Sequence, residues 1–171
     1  YESTTMGERI TQLYLDPLSA SLIRTGLRRA VRRIVKEIGP VTNFGLLHLA
    51  TSTPDFTSLW AKNSEMATNS NLWIKTNAVE DELLSDSSYD EMLLSNVKSA
   101  WMIEMWTDED NIRSIEKELD VNPGDIHYRV DLMEWLIYAS KEIILTDDVF
   151  SEEHMNQIAE IVKLLDILRL R

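Results

Sequence analysis

The sequence contains no cysteine. That excludes disulfide staples and thiolate metal sites, and it fits an intracellular location. No apolar run approaches the roughly 18 residues that a membrane span needs, so no membrane partner is expected. The first ten residues, YESTTMGERI, lack the charged-then-apolar build of a signal peptide. The three histidines, His48, His127 and His154, are far apart and form no ligand spacing. Also missing are a GxxxxGK(S/T) phosphate loop, an Asp-Glu-x-His box for magnesium and ATP, a GxSxG elbow and an HExxH pair. The clusters Glu80-Asp81-Glu82 and Asp147-Asp148 read as solvated loops, with no histidine or second carboxylate placed to complete a site. No catalytic residue, metal or cofactor is expected in this chain.

What is present begins with charge. The formal net charge is −12, which argues against indiscriminate nucleic-acid binding. Its distribution is uneven. Residues 1–50 hold seven Lys/Arg against four acids, and the rest of the chain holds ten against twenty-five. A basic helix therefore stands on an acidic body.

The expected fold is all-α, a bundle of about seven helices, preceded by a short strand-like stretch over 8–15. Asp16-Pro17 has the form of a helix start, an acidic cap before proline at the first helical position. That helix is expected to run to Gly39-Pro40. Leu22, Ile23, Leu27, Ala30, Val31, Ile34 and Ile38 share one face, and Arg28, Arg29, Arg32, Arg33 and Lys36 the other. A short apolar helix follows over 43–50. Thr53-Pro54-Asp55 opens the next, with Phe56, Leu59 and Trp60 facing inward. The acidic, serine-bearing stretch 78–92 contains a loop around 85–88. A strong helix covers 93–106, Thr107 or Asp108 caps a short one, and DVNPG breaks it. Ser151 opens the last helix, which runs to the C-terminus.

The segment NPGDIHYRVDLMEWLIYAS (122–140) reads as a helix over about 125–145 capped by Asp125. At about 100° per residue, Ile126, Val130, Met133, Ile137 and Ile144 fall in one stripe, the core face. His127, Asp131, Glu134, Tyr138 and Lys141 form a polar arc. Tyr128, Leu132, Trp135, Ala139 and Ile143 form a second apolar arc opposite the stripe. Such an arc is either a second packing face or a lining. Tyr128 and Trp135 are separated by roughly 10.5 Å of helix rise, about the length of three stacked nucleotides, which suits a base-stacking platform. The basic helix is likewise a solvated face, a phosphate track, or a dock for an acidic neighbouring domain. Membrane binding by that helix is the weakest option, because anionic lipid would repel the acidic remainder.

Four stretches, in order, resemble one family. TTMGERITQLYLDPLSASLIRTGL is similar to the segment closing the winged-helix domain of archaeal Hjm-type DNA helicases, members of the Ski-like branch of superfamily two. FGLLHLATSTPDFTSLW resembles their Leu-Leu-His stretch followed by Thr-Pro-Asp. VKSAWMIEMWTDE resembles their Lys-x-Ala-x-x-(Leu/Ile)-Glu-x-Trp. PGDIHYRVDLMEWLIYA resembles their Gly-Asp-(Leu/Ile) followed by Glu-Trp-Leu. The match covers nearly the whole chain.

The resemblance implies a fragment of an ATP-dependent 3′-to-5′ helicase acting on single-stranded or forked DNA in repair, in the cytoplasm at the nucleoid. Residues 1–19 would end a winged-helix domain and residues 20–171 would form a helical ratchet domain. RecA-like domains of the same parent chain would hold ATP and magnesium, and a helix-loop-helix domain would follow, so both ends of the chain look cut. In that family a tryptophan on the ratchet helix, and a basic residue one heptad before it, stack on bases. Trp135 matches the tryptophan. Tyr128 stands at the basic position, a departure, since tyrosine can stack but cannot neutralise phosphate. His127 stands where another basic residue is often found, and Arg129 lies about 100° round the helix. Arg28, Arg29, Arg32 and Arg33 are candidates for phosphate or domain contacts. Two other readings stay open: the equivalent module of a Ski-like RNA helicase, and a protein-interaction domain whose aromatics are core.

Overall fold

A computed structural model describes residues 14–61, 65, 69–82, 93–108, 111–146 and 155–170. Seven helices lie among them: α1 (Pro17–Val35), α2 (Asn43–Thr51), α3 (Ser70–Glu82), α4 (Leu93–Thr107), α5 (Ile112–Leu119), α6 (Pro123–Thr146) and α7 (Met155–Leu170). The fold is the expected all-α bundle. The strand expected over 8–15 lies, apart from Tyr14 and Leu15, outside the described residues, as do the loop at 85–88 and the helix start at Ser151.

The Asp16 carboxylate accepts the Leu18 N–H at 2.8 Å and caps α1 with Pro17 behind it. The helix ends at Val35, earlier than expected. Glu37 turns left-handed at φ 52°. Its N–H donates to the Ile34 carbonyl at 3.1 Å, and that of Ile38 to the Arg33 carbonyl at 3.0 Å. This pair of bonds is the Schellman closure, here with glutamate where glycine is usual. Ile38, expected on the apolar face, is consequently exposed.

Other boundaries also moved. The Asn122 carboxamide oxygen accepts the Asp125 N–H at 2.9 Å, and Asp125 reaches back to the Asn122 N–H at 3.4 Å. Asn122 is therefore the cap of α6, Pro123 its first residue, and Asp125 the return arm of a capping box. Asn111 rather than Thr107 or Asp108 caps α5, accepting from Arg113 N–H at 2.8 Å. Helix α3 extends through Glu82, into the stretch read as loop.

The largest departure is at 53–61. No helix forms over 53–61. Residues 57–61 instead run as a strap along α4. The Leu59 N–H donates to Ser99 Oγ at 2.7 Å and the Ala61 N–H to Ser95 Oγ at 3.0 Å. These tertiary bonds take the donors that a helix would have used. Phe56 and Leu59 are buried as expected, but Trp60 points outward and is 71% exposed.

Helix α2 is the hub. It is buried from Phe44 to Thr51 and touches α1, α3, α4, α6 and α7. It meets α1 at Gly26. A Cβ built on Gly26 would stand 2.3 Å from Leu49 Cδ1, and Leu49 is itself buried. Gly26→Ala is therefore expected to overpack the crossing and lower stability by about 1–3 kcal/mol, offsetting its gain in helix propensity. An unshifted urea midpoint would contradict this.

His48 lies inside the same hub, 1% exposed, and its Nε2 has no hydrogen-bond partner. Burial disfavours the imidazolium and lowers the pKa from 6.5 to about 4. The unfolded chain thus takes up a proton that the folded chain refuses. Stability is complete above the unfolded pKa and falls as pH drops from about 6.5 toward about 4. From pH 7.5 to 5.5 the expected loss is about 1 kcal/mol from this group. Urea titrations at both pH values check it, and His48→Leu should flatten the difference.

Candidate functional site

Helix α6 is the longest among the described residues, at 24. Its predicted core stripe holds: Ile126, Met133, Ile137 and Ile144 are buried, and Val130 is half-buried. The opposite arc splits along its length. Tyr128 is 55% exposed, Leu132 and Trp135 are half-buried against the core, and Ala139 and Ile143 are fully buried. The cause is α7, which packs on α6 and is tied to it where Lys141 Nζ meets Asp166 Oδ1 at 2.7 Å. On this arc the N-terminal half of α6 stays the more exposed.

Tyr128 and Trp135 therefore share a side of one rigid helix, the first ring open and the second set partly into the bundle. They are seven residues apart, so their directions differ by only about 20°. His127, exposed beside them, meets the Trp106 ring edge-on, with centroids 5.5 Å apart and planes at 79°. Asp131 and Glu134 complete the exposed strip. This surface offers aromatic faces and carboxylates and repels phosphate.

Arg129 does not join them. Its residue is 8% exposed, its Nε donates to the Thr57 carbonyl at 2.8 Å, and its Nη1 donates to the Asp125 carbonyl at 3.1 Å. The guanidinium is a tie between α6 and the strap, and the candidate contact to a ligand is corrected to a packing role. Its 100° offset from Tyr128, visible in the sequence, points it inward.

The basic residues of α1 divide similarly. Arg28 and Arg32 are exposed, while Arg29 and Arg33 are half-buried. Arg33 Nε donates to the Pro40 carbonyl at 3.1 Å. Arg33 also lines a groove of about 520 Å³ with Thr42, Asn43, Phe44, Lys75 and Glu104. There Lys75 sits 4.8 Å from the Phe44 ring centroid and pairs with Glu104. Helix α1 packs against α6, so the exposed cations and the two rings belong to neighbouring helices. Among the described residues with known surroundings, no group of histidine and carboxylate side chains could hold a metal ion, and no helix is long and apolar enough to cross a membrane. The residue that sequence reasoning missed is Trp60. No pattern in TSLWA marks it as outward; the signal lies in the serines four residues apart at 95 and 99.

Residues 44–165 match the family described as archaeal helicase, domain 4. The chain is 36% identical over 151 residues to the ATP-dependent DNA helicase Hel308 of Methanocella arvoryzae, which covers 83% of this chain and 19% of that protein. It is 30% identical over 175 residues to the protein of the same name from Pyrococcus abyssi, covering 97% of this chain and 21% of that one. The chain thus spans about a fifth of the length of these relatives.

If Arg129 acts through the fold, Arg129→Ala should lower global stability by roughly 1.5–3 kcal/mol, the worth of bonds to a charged donor. Chemical denaturation of the variant measures this; wild-type stability would refute the tie.

Proposed function

The chain belongs to the archaeal helicase domain 4 family, and on that premise we propose that it is the DNA-tracking domain of an ATP-dependent helicase that moves 3′ to 5′ on single-stranded or forked DNA in repair. The observation that carries the reading is the pairing of Tyr128, open to solvent, with Trp135, half-buried one heptad later on the same side of α6. Two rings at that spacing on a rigid rod suit stacking against successive bases, which is tolerant of sequence. The carboxylates of Asp131 and Glu134 favour contact with bases over contact with phosphate on this strip. Exposed Arg28 and Arg32, on the neighbouring helix, are the cations for the phosphate backbone or for an adjoining domain.

In this reading residues 1–19 end a winged-helix domain and residues 20–171 form the helical domain. RecA-like domains of the same parent chain bind ATP and magnesium and drive the strand, which the rings of α6 grip. The parent works in the cytoplasm at the nucleoid. A relative's name as a DNA helicase supports DNA over RNA as the strand.

Base–aromatic stacking contributes roughly 1–3 kcal/mol per base. Trp135→Ala in the full-length enzyme is therefore expected to slow unwinding of a forked DNA about tenfold or more, with ATP binding unchanged. Unwinding at the wild-type rate would sink the assignment.

A further inference from the structure

The strap holds Trp60 in a way its exposure alone does not suggest. The amides on either side, Leu59 and Ala61, are bonded to Ser99 and Ser95 at 2.7 and 3.0 Å. Its own carbonyl accepts from Lys98 Nζ at 3.4 Å. A large indole, 71% exposed, is thus presented from a backbone fixed on both sides. An exposed tryptophan on a fixed support is informative where an exposed leucine is not.

Beneath the indole is a groove of about 510 Å³ that also contains Glu65, Asn69, Lys98, Glu118 and Asp120. The charges there do not balance. Among the described residues the one cation on its wall, Lys98, has a side chain only 6% exposed and pairs with Glu65 at 2.7 Å. Glu118 accepts from the Asn69 carboxamide at 3.4 Å. Among the described residues no cation pairs with Glu118 or Asp120. Two carboxylates therefore line the same groove as an open indole, and neither is in an ion pair among the described residues. Glu118 is also on the wall of a second groove of about 440 Å³, with Ile74, Lys75, Glu104 and Asp108, so carboxylates continue from α5 toward α4.

From this geometry we infer that the groove between the strap and the C-terminal end of α5 binds an arginine-bearing segment of a protein partner. A guanidinium stacks flat on an indole and still directs its fork of N–H donors at carboxylates. No residue lining the groove lies on α6, so the groove is a site separate from that surface, and its paired indole and carboxylates suit a planar cation. A segment with a second cation reaches the adjoining groove past Glu118.

The test uses the 171-residue chain with a blocked hexa-arginine peptide as probe, following the indole N–H signals of the five tryptophans by NMR. The Trp60 signal should shift saturably. Trp60→Ala should weaken binding fivefold or more, and Glu118→Gln with Asp120→Asn should abolish it; asparagine keeps the left-handed conformation that Asp120 adopts at φ 54°. Asp131→Asn with Glu134→Gln, on α6, should leave it unchanged. Each altered residue is exposed, and unchanged signals from the remaining tryptophans report that the fold is intact. The proposal is overturned if the Trp60 signal does not move, if Trp60→Ala binds as well as wild type, or if the α6 pair weakens binding equally, which would mean diffuse attraction to acid. A shift of Trp60 by an oligothymidylate in place of the peptide would also overturn it.

Discussion

Residues 57–61 lie outside every helix, yet Leu59 and Ala61 are buried, and their backbone groups must find partners there. Leaving them unmet would cost about 1–3 kcal/mol each. Helix α4 supplies the partners. It is buried continuously from Leu93 to Ile103, and that buried surface includes Ser95, Asn96, Lys98 and Ser99. The serine hydroxyls take two amides, Lys98 takes the Trp60 carbonyl, and Asn96 Oδ1 accepts from Ser58 Oγ at 2.7 Å. Arg129 closes the arrangement from α6 at the Thr57 carbonyl. Polar side chains in the middle of an apolar helix are thereby satisfied by an irregular segment, and the segment by them. The position of α6 relative to α4, and hence of the ring surface, is set by this exchange.

The hub at α2 works by contrast with shape. Gly26 lets Leu49 sit where a side chain would otherwise stand, so α1 approaches closely enough to cover the hub. His48 shows the cost of so complete an enclosure: its imidazole is held neutral because nothing nearby can solvate a charge. Close packing and a desolvated titratable group are two results of the same burial.

Much of this was legible in the sequence, and the failures have a common cause. Asp16-Pro17 announced α1, and the core stripe of α6 followed from periodicity. Periodicity gives direction around a helix axis but not depth along it. Tyr128 and Ile143 lie on one arc, yet one is open and the other sealed, because α7 covers only part of α6. The sequence places Trp60 inward, because Thr53-Pro54-Asp55 has the form of a helix start. Hydrogen bonds from residues some forty positions away overrode that local signal, and no local rule contains them. Arg129 was a candidate by proximity in sequence to Tyr128, whereas one step of about 100° turned it toward the strap. The family resemblance, in turn, located Trp135 without saying how deeply it sits.

The exposed cations Arg28 and Arg32 stand on α1 and Lys36 at its end, while α5 carries Arg113 and Lys117 beside Glu116 and Glu118. These two helices do not pack extensively on each other. A local excess of positive charge thus stands on α1 in a chain of net charge −12. As the domain nears a polyanion, attraction to that patch and repulsion of the acidic remainder turn α1 toward it before any contact forms. At physiological ionic strength the field reaches only about 8 Å beyond the surface. Orientation is therefore selected in the final approach, by charges that need not touch the strand once the domain is seated.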